Sequence, residues 1–376
     1  MKKVIALAVA SAFVAPAAMA EVVVYGVAAP AIEYSKITDA TNSTTYPDLT
    51  RVRLVDSLSR IGFKGTDKLD NGLKLLWQVE NRVYIGTGDQ SRGFNTRDTF
   101  VGIEGNFGRV VVGSAMFDLP FQARFDYLQG LINYNEIING VQGVTNQSQA
   151  RLSNVAQYTS PVFLGGARVK ALYDFGAKTS TANYQGFQVA ANYKYNMLNV
   201  GATYKQNNDT STFGQQTGAL VDSTVTPVAE AFLKNYLVGA TLTPIDGLNV
   251  SVSWDRKKTK ASAAAAEIRQ DAWAIGANYV TGKHGVGLHY GKVGESKNMS
   301  TGNTNPDTGA YFVAGQYKYA LSKQTYMHAS VGLVKNDKLA SYSMGTTYVT
   351  GLGTSYPAAA TGLKVTTIAT GVTTSF

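Results

Sequence analysis

Ser59-Arg60-Ile61-Gly62-Phe63-Lys64, then Asp70-Asn71-Gly72, then Lys74-Leu75-Leu76-Trp77-Gln78-Val79-Glu80-Asn81-Arg82 is the stretch from which the fold can be read. Ile61 and Phe63 alternate with Arg60 and Lys64, and beyond the turn Leu75, Trp77 and Val79 alternate with Lys74, Gln78, Glu80 and Arg82. Successive side chains of a strand point to opposite faces, so a period of two on either side of a turn signal specifies an antiparallel hairpin with one apolar and one polar face. Placing Ile61 and Phe63 on the same face as Trp77 and Val79, with a connecting loop of about five residues, sets Arg60 opposite Arg82. Two guanidinium groups facing each other need a counter-charge, and Glu80 is at hand. A salt-bridge network and an anion-attracting cluster are both compatible with this arrangement.

The same alternation recurs along the chain. Strands are expected near 22–34, 57–68, 74–86, 98–105, 109–116, 152–161, 167–176, 186–195, 198–206, 231–243, 248–257, 270–281, 285–294, 309–320, 324–335 and 362–376. That is about sixteen, an even number, as in single-chain bacterial barrels. Short connections with turn residues (70–72, 106–108, 244–247, 282–285, 321–323) alternate with long polar ones (35–56, 207–230, 296–308, 336–361). Short turns on one rim and long loops on the other describe a transmembrane antiparallel β-barrel. One parity collects Phe187, Val189, Tyr193, Leu248, Val252, Trp254, Trp273, Ile275 and Tyr279, and the other is assigned Gln188, Asn192, Asn249, Ser251, Ser253, Asp255, Asp271 and Asn278. Alternation alone does not say which face is wet. The aromatics help: Tyr193, Tyr204, Trp254, Tyr279, Tyr290, Tyr317 and Tyr319 fall at strand ends on the apolar parity, as membrane girdles do. Pro30 cannot donate to a ladder and marks a bulge or an early end of the first strand.

One long interruption, 116–151, separates two strands. It is too long for a hairpin loop, and loops of that length in a compact architecture are functional or disordered. Phe117, Phe121, Phe125, Tyr127, Leu128, Leu131, Ile132 and Tyr134 argue against disorder, because they need a surface to pack on. The expectation is a loop folded back into the lumen, bringing Asp118, Arg124, Asp126 and Glu136 to the narrowest part of a pore.

Met1 to Ala20 shows the order of a secretory signal peptide: Lys2 and Lys3, an apolar run from Val4 to Val14, then Ala18-Met19-Ala20. The barrel is then expected over 21–376. Without that leader the chain has 32 basic and 25 acidic side chains, a net of +7, with no Lys/Arg run of the kind that tracks nucleic acid. Cysteine is absent, which excludes disulfides and thiolate metal sites. Three scattered histidines, His284, His289 and His328, mark neither a metal site nor a triad. Gly86-Thr87-Gly88 lacks the following helix that a phosphate cradle requires. An enzyme is therefore not expected, nor a cofactor.

With these residues in view, the chain resembles the trimeric general-diffusion porins of the neisserial and betaproteobacterial type. The resemblance is carried by Ser59 to Gly65 with Asp70 to Lys74 and Trp77 to Glu80. It continues in Phe100-Val101-Gly102-Ile103 with Phe107-Gly108, in Gln157-Tyr158-Thr159-Ser160-Pro161, in Tyr317 to Thr325 and in the terminal Phe376. It departs where Ala29-Pro30 replaces a carboxylate after Tyr25-Gly26, and where Thr373-Thr374-Ser375 replaces a basic or His pair before the last Phe. What it implies is a sixteen-stranded barrel, three per assembly, whose third external loop forms the constriction, with Phe376 as an assembly signal.

The function expected is an outer-membrane channel for passive diffusion of small hydrophilic solutes and ions. Arg60, Arg82, Arg124, Asp118, Asp126 and Glu136 would stand at the constriction, and Lys64, Lys74, Gln78 and Glu80 would face the lumen. Weak anion preference follows from the net of +7 together with Arg60, Arg82 and Arg124 at the constriction, set against Asp118, Asp126, Glu136 and Glu80. Partners would be outer-membrane lipid and lipopolysaccharide, two further copies of the chain, and the barrel-assembly machinery during biogenesis, with no nucleic acid. A substrate-specific anion channel and a non-conducting adhesin or structural barrel remain alternatives.

Overall fold

A computed structural model describes residues 21–45, 47–56, 59–83, 85, 97–118, 151–178, 180–210, 227–342 and 360–376. Within them the chain forms sixteen antiparallel strands, two of them broken. They are β1 (Glu21–Ala28 and Pro30–Thr38), β2 (Leu49–Asp56 and Arg60–Lys68), β3 (Lys74–Arg82), β4 (Thr99–Gly105), β5 (Gly108–Met116), β6 (Arg151–Thr159), β7 (Ala167–Lys178) and β8 (Asn183–Tyr195). The second half comprises β9 (Leu198–Thr210), β10 (Pro227–Leu242), β11 (Leu248–Lys260), β12 (Ile268–Thr281), β13 (His284–Val293), β14 (Ala310–Ala320), β15 (Thr325–Asn336) and β16 (Lys364–Ser375). Each strand pairs with its neighbours in the chain, and β16 closes the sheet on β1 through pairs running from Thr38↔Lys364 to Val27↔Ser375. Closure leaves no edge of unpaired backbone, the condition for a sheet to stand in hydrocarbon.

The first strand extends to Thr38 and the second starts at Leu49, so the first long loop is 39–48 rather than 35–56. Pro30 does not end β1. It pairs with Asp56, while Val27 pairs with Arg60, so β2 carries one extra residue between those pairs, a bulge opposite the proline. The freed groups find partners: Ala29 N–H donates to Ser59 Oγ at 2.8 Å, and Ser59 N–H to Asp56 Oδ1 at 2.8 Å.

The register fixes the two faces. From Gln188 the row runs through Lys205, Asn235 and Lys257. Alternate positions such as Val189, Val238, Val252, Ile275 and Leu288 are apolar and exposed, which makes theirs the outer face. Asp271 belongs to that outer face, not with Asn278: it pairs with Arg256 beside the Trp254↔Trp273 pair. The expected grouping failed on parity, since Asp271 and Trp273 are two residues apart.

The inner face is also less polar than alternation implied. Phe117, wholly buried, packs with Val111, Leu172, Ala190 and Leu237. All of these except Phe117 lie on strands. A second inward cluster gathers Phe312, Val293, Val334, Val365 and Ile37 under Leu363 from the end of loop 337–363. The start of that loop also turns inward, because Tyr342 Oη donates to Gln270 Oε1 at 2.8 Å and Asn336 Nδ2 to the carbonyls of Tyr342 and Leu363, both at 2.8 Å. Apolar side chains on both faces of a strand mean that both faces are covered.

The connections 69–73, 106–107, 160–166, 196–197, 243–247, 282–283 and 321–324 share one rim; the other rim takes all the long connections and also the short one at 179–182. At the short rim Phe376 exchanges two backbone hydrogen bonds with Gly26, at 2.9 and 3.1 Å. Its ring lies so close that a Cβ on Gly26 would come within 2.2 Å of it, so a larger residue at 26 would displace the Phe376 ring from its seat on β1.

Candidate pore constriction

The turn 69–73, with Gly72 at φ +80° and Leu69 N–H bonded to the Leu73 carbonyl at 2.9 Å, pairs Lys68 with Lys74 and carries the register up to Arg60↔Arg82. Gly62 pairs with Glu80 and with Tyr25, so these groups meet on the lumen side. The buried Glu80 carboxylate is the hub. It accepts the Tyr25 hydroxyl at 2.9 Å, is paired with Arg97 Nε, and lies 3.5 Å from Arg60 Nε. Arg82 Nη2 donates to the Asp56 carbonyl at 3.3 Å. Arg97 is held in place by its own N–H to the Glu80 carbonyl at 3.2 Å. Burial, then the nearby Arg151, pull Arg97 down to about 10 against the pull of Glu80. It stays charged at neutral pH, so the Glu80 carboxylate is flanked by two guanidinium groups, those of Arg60 and Arg97.

Below the hub Lys64 lies over the Tyr25 ring at 5.1 Å, and Gln78 Nε2 donates to the Asp98 carbonyl at 3.3 Å. Lys74 stands at the short rim, half exposed, 3.5 Å from Glu104. Around the wall, a recess of about 380 Å³ opens between Gln78, Asp98, Arg109, Asp118, Arg168 and Lys170. Lys170 ties this recess to the root of the third long loop: its Nζ donates to the Asp118 carbonyl at 3.1 Å and lies 5.1 Å from the Phe117 ring centre. Arg151 Nε meets Asp98 Oδ1 at 2.5 Å.

Of the residues named from sequence, Arg60, Arg82, Glu80, Lys64 and Gln78 therefore share one stretch of inner wall, and Asp118, at the loop root, lines the same recess as Gln78. Arg124, Asp126 and Glu136 lie outside the described residues, as does 1–20. Sequence reasoning passed over Arg97, Arg109, Arg168 and Lys170. Three of these could have been found, since they sit on polar parity within strands already delimited. Arg97 could not, because a loop has no parity. Among the described residues no group of His, Asp and Glu could hold a metal ion, and no helix is long and apolar enough to cross a membrane. His289 is engaged with Asn278 at 3.0 Å, and His284 with Tyr317 at 2.7 Å.

A closed sixteen-stranded barrel with a charged inner wall can be compared with known proteins. The family model for the Gram-negative porin matches residues 6–339. The chain belongs to the Gram-negative porin family. Among curated relatives this porin is 34% identical over 220 residues to major outer membrane protein P.IB of Neisseria meningitidis serogroup A, covering 55% of this chain and 60% of that one. It is 39% identical over 112 residues to P.IB of Neisseria sicca, covering 30% of each. The chain thus spans a little over half the length of the first curated relatives it matches. Among solved structures it superposes on the anion-selective porin from Comamonas acidovorans with a TM-score of 0.65 at 21% identity, over 95% of this chain and 100% of that one. On the trimer form of OmpT from Vibrio cholerae the TM-score is 0.64 at 17% identity, over 95% and 99%. At these identities the likeness is one of fold. The porin is an outer-membrane protein, as its family and relatives are.

Proposed function

We propose that this porin forms a water-filled channel through which small hydrophilic solutes and ions pass down their gradients, with weak preference for anions. The observation that supports it is the inner wall around the root of the third loop. Arg60, Arg82, Arg97, Arg109, Arg168 and Lys170 face Glu80, Asp98 and Asp118, so fixed cations outnumber fixed anions where loop and wall approach. Rings and opposed rows of charge select ions by their field in a wide pore. Planar-bilayer recording in a salt gradient tests both parts: stepwise currents with a reversal potential of anionic sign are expected. Absence of single-channel current would replace the channel with a surface or structural barrel, and a saturating current for one anion would make it a substrate-specific channel.

Assembly belongs to the same reading. Val22, Val24, Ile32, Val52 and Leu54 form an exposed apolar face on β1 and β2. Burying that face against two further copies gives a homotrimer in contact with outer-membrane lipid and lipopolysaccharide. Phe376, already the seal of β16 on β1, would serve the barrel-assembly machinery as its signal. Deleting it is expected to lower the yield of heat-modifiable trimer at the surface. Unchanged yield removes that role, and a monomer by light scattering in mild detergents removes the trimer.

A further inference from the structure

The recess of about 380 Å³ at the root of the third loop is lined by more than charge. Phe100 on β4, with Val111, Ala115 and Met116 on β5, supplies an apolar shelf beside the cations. Val111 and Ala115 are buried, whereas the Phe100 ring, packed against their cluster, is only partly so. Its ladder neighbour on β5 is Gly113, and the next inward residue on its own strand is Gly102, so neither position supplies a side chain to cover the ring. Selection of ions by field acts on charge alone. An aromatic ring left partly open in a polar lumen has no part in it.

The cations next to this shelf are held in place and short of counter-charge. The Arg109 guanidinium lies 4.9 Å from the Phe100 ring centre, a stacking contact that keeps it inside the recess. Glu104, opposite Arg109 on the ladder, stands 3.5 Å from Lys74, and Asp98 meets Arg151 at 2.5 Å. Among the described residues neither Arg109 nor Arg168 is in an ion pair. Asp98 and Asp118 act on Lys170 through space, and so do Arg109 and Arg168, which places all five charges in one neighbourhood. Small-ligand pockets run from ~300 to ~1,000 Å³ and join apolar lining to a few convergent polar groups. This recess lies at the small end of that range, with room for one ring bearing one acidic group.

We propose that the recess is a transit site for single-ring aromatic carboxylates, with the carboxylate on Arg109 and Arg168 and the ring along Phe100 and Met116. This rests on the reading of the recess as part of the ion path and adds a solute class to it. A solute in transit must leave again, so the binding is weak and fast, the regime of saturation-transfer NMR. The probes are benzoate, acetate as the charge without the ring, and benzamide as the ring without the charge, each titrated onto the full chain in detergent. One charge-assisted hydrogen bond or one desolvated cation–π contact is worth roughly tenfold in affinity, so benzoate should bind about tenfold more tightly than either of the others. Arg109→Gln with Arg168→Gln should weaken benzoate by about tenfold or more. Phe100→Ala should bring benzoate down to the level of acetate. If that variant loses heat-modifiability, Phe100→Leu takes its place and should cut the preference for benzoate over acetate. The readout does not depend on conductance, so a chain that binds benzoate in this way yet passes no current fails as a channel and not as a benzoate site. Acetate or benzamide binding as tightly as benzoate, or benzoate binding unmoved by the arginine pair or by the change at Phe100, would each overturn the proposal.

Discussion

Phe117→Ala is expected to raise single-channel conductance and open-channel noise while leaving the barrel intact. Phe117 is wholly buried against Val111, Leu172, Ala190 and Leu237 on the inner wall, directly after β5 ends. Truncating a buried Phe to Ala costs about 3–5 kcal/mol. Here the cost falls on the docking of the loop root, because the ladder of β5 with β4 and β6 is unchanged. Each ~1.4 kcal/mol is tenfold in an equilibrium, so the docked state loses a factor of about 100 or more. Lys170, which holds the Asp118 carbonyl at 3.1 Å, is a second tether of the described root. Phe117→Ala with Lys170→Met should therefore exceed the single change. Traces indistinguishable from wild type at equal trimer yield would mean that this root does not anchor the constriction.

The same cluster shows what the sequence could tell and what it could not. Strand existence was legible because a wall with lipid on one side alternates strictly, as Leu248, Val250, Val252 and Trp254 do against Asn249, Ser251, Ser253 and Asp255. The turn Asp70-Asn71-Gly72 set the hairpin register because only a residue free to adopt φ +80° suits Gly72. Alternation was weaker where loops cover the inner wall. Leu172 and Leu237 face inward because Phe117 lies over them, and Phe312 does so because Leu363 covers it. In retrospect, Ala310-Tyr311-Phe312-Val313-Ala314 is apolar on both parities, which signals a strand covered on both faces. The constriction was half legible. Arg60, Glu80 and Arg82 followed from parity, while Arg97 reaches Glu80 from a loop, where position depends on tertiary contacts and leaves no periodic trace. Asp271 was misplaced for a different reason: a charged residue on the outer face was assumed to belong inside, whereas on that face it pairs with Arg256.

Reversing the charge of the arginine pair should produce the largest change in ion preference. Arg60 and Arg82 face each other in register beside Glu80, with Arg97 as the third guanidinium. At ~8 Å in water a unit charge contributes about 0.5 kcal/mol, so Arg60→Glu with Arg82→Glu, a change of four units, amounts to about 2 kcal/mol before screening. One Debye length at physiological salt, ~8 Å, leaves about a third of that, roughly threefold for each ion and, because the two signs move in opposite directions, about tenfold in the anion-to-cation permeability ratio. The shift should grow as salt is lowered. Two new carboxylates beside Glu80 add like-charge repulsion within the hub, so heat-modifiability must first show a folded barrel. Arg60→Gln with Arg82→Gln removes the positive charge without that repulsion and should give about half the effect. Glu80→Gln should move the zero-current potential the opposite way, toward anions, because it strips the counter-charge from the Arg60 and Arg97 guanidinium groups. If the neutral double variant conducts normally and its zero-current potential stays put at low salt, Arg60 and Arg82 do not face the ion path, and the loop-bearing wall around Arg109, Arg168 and Lys170 sets the preference instead.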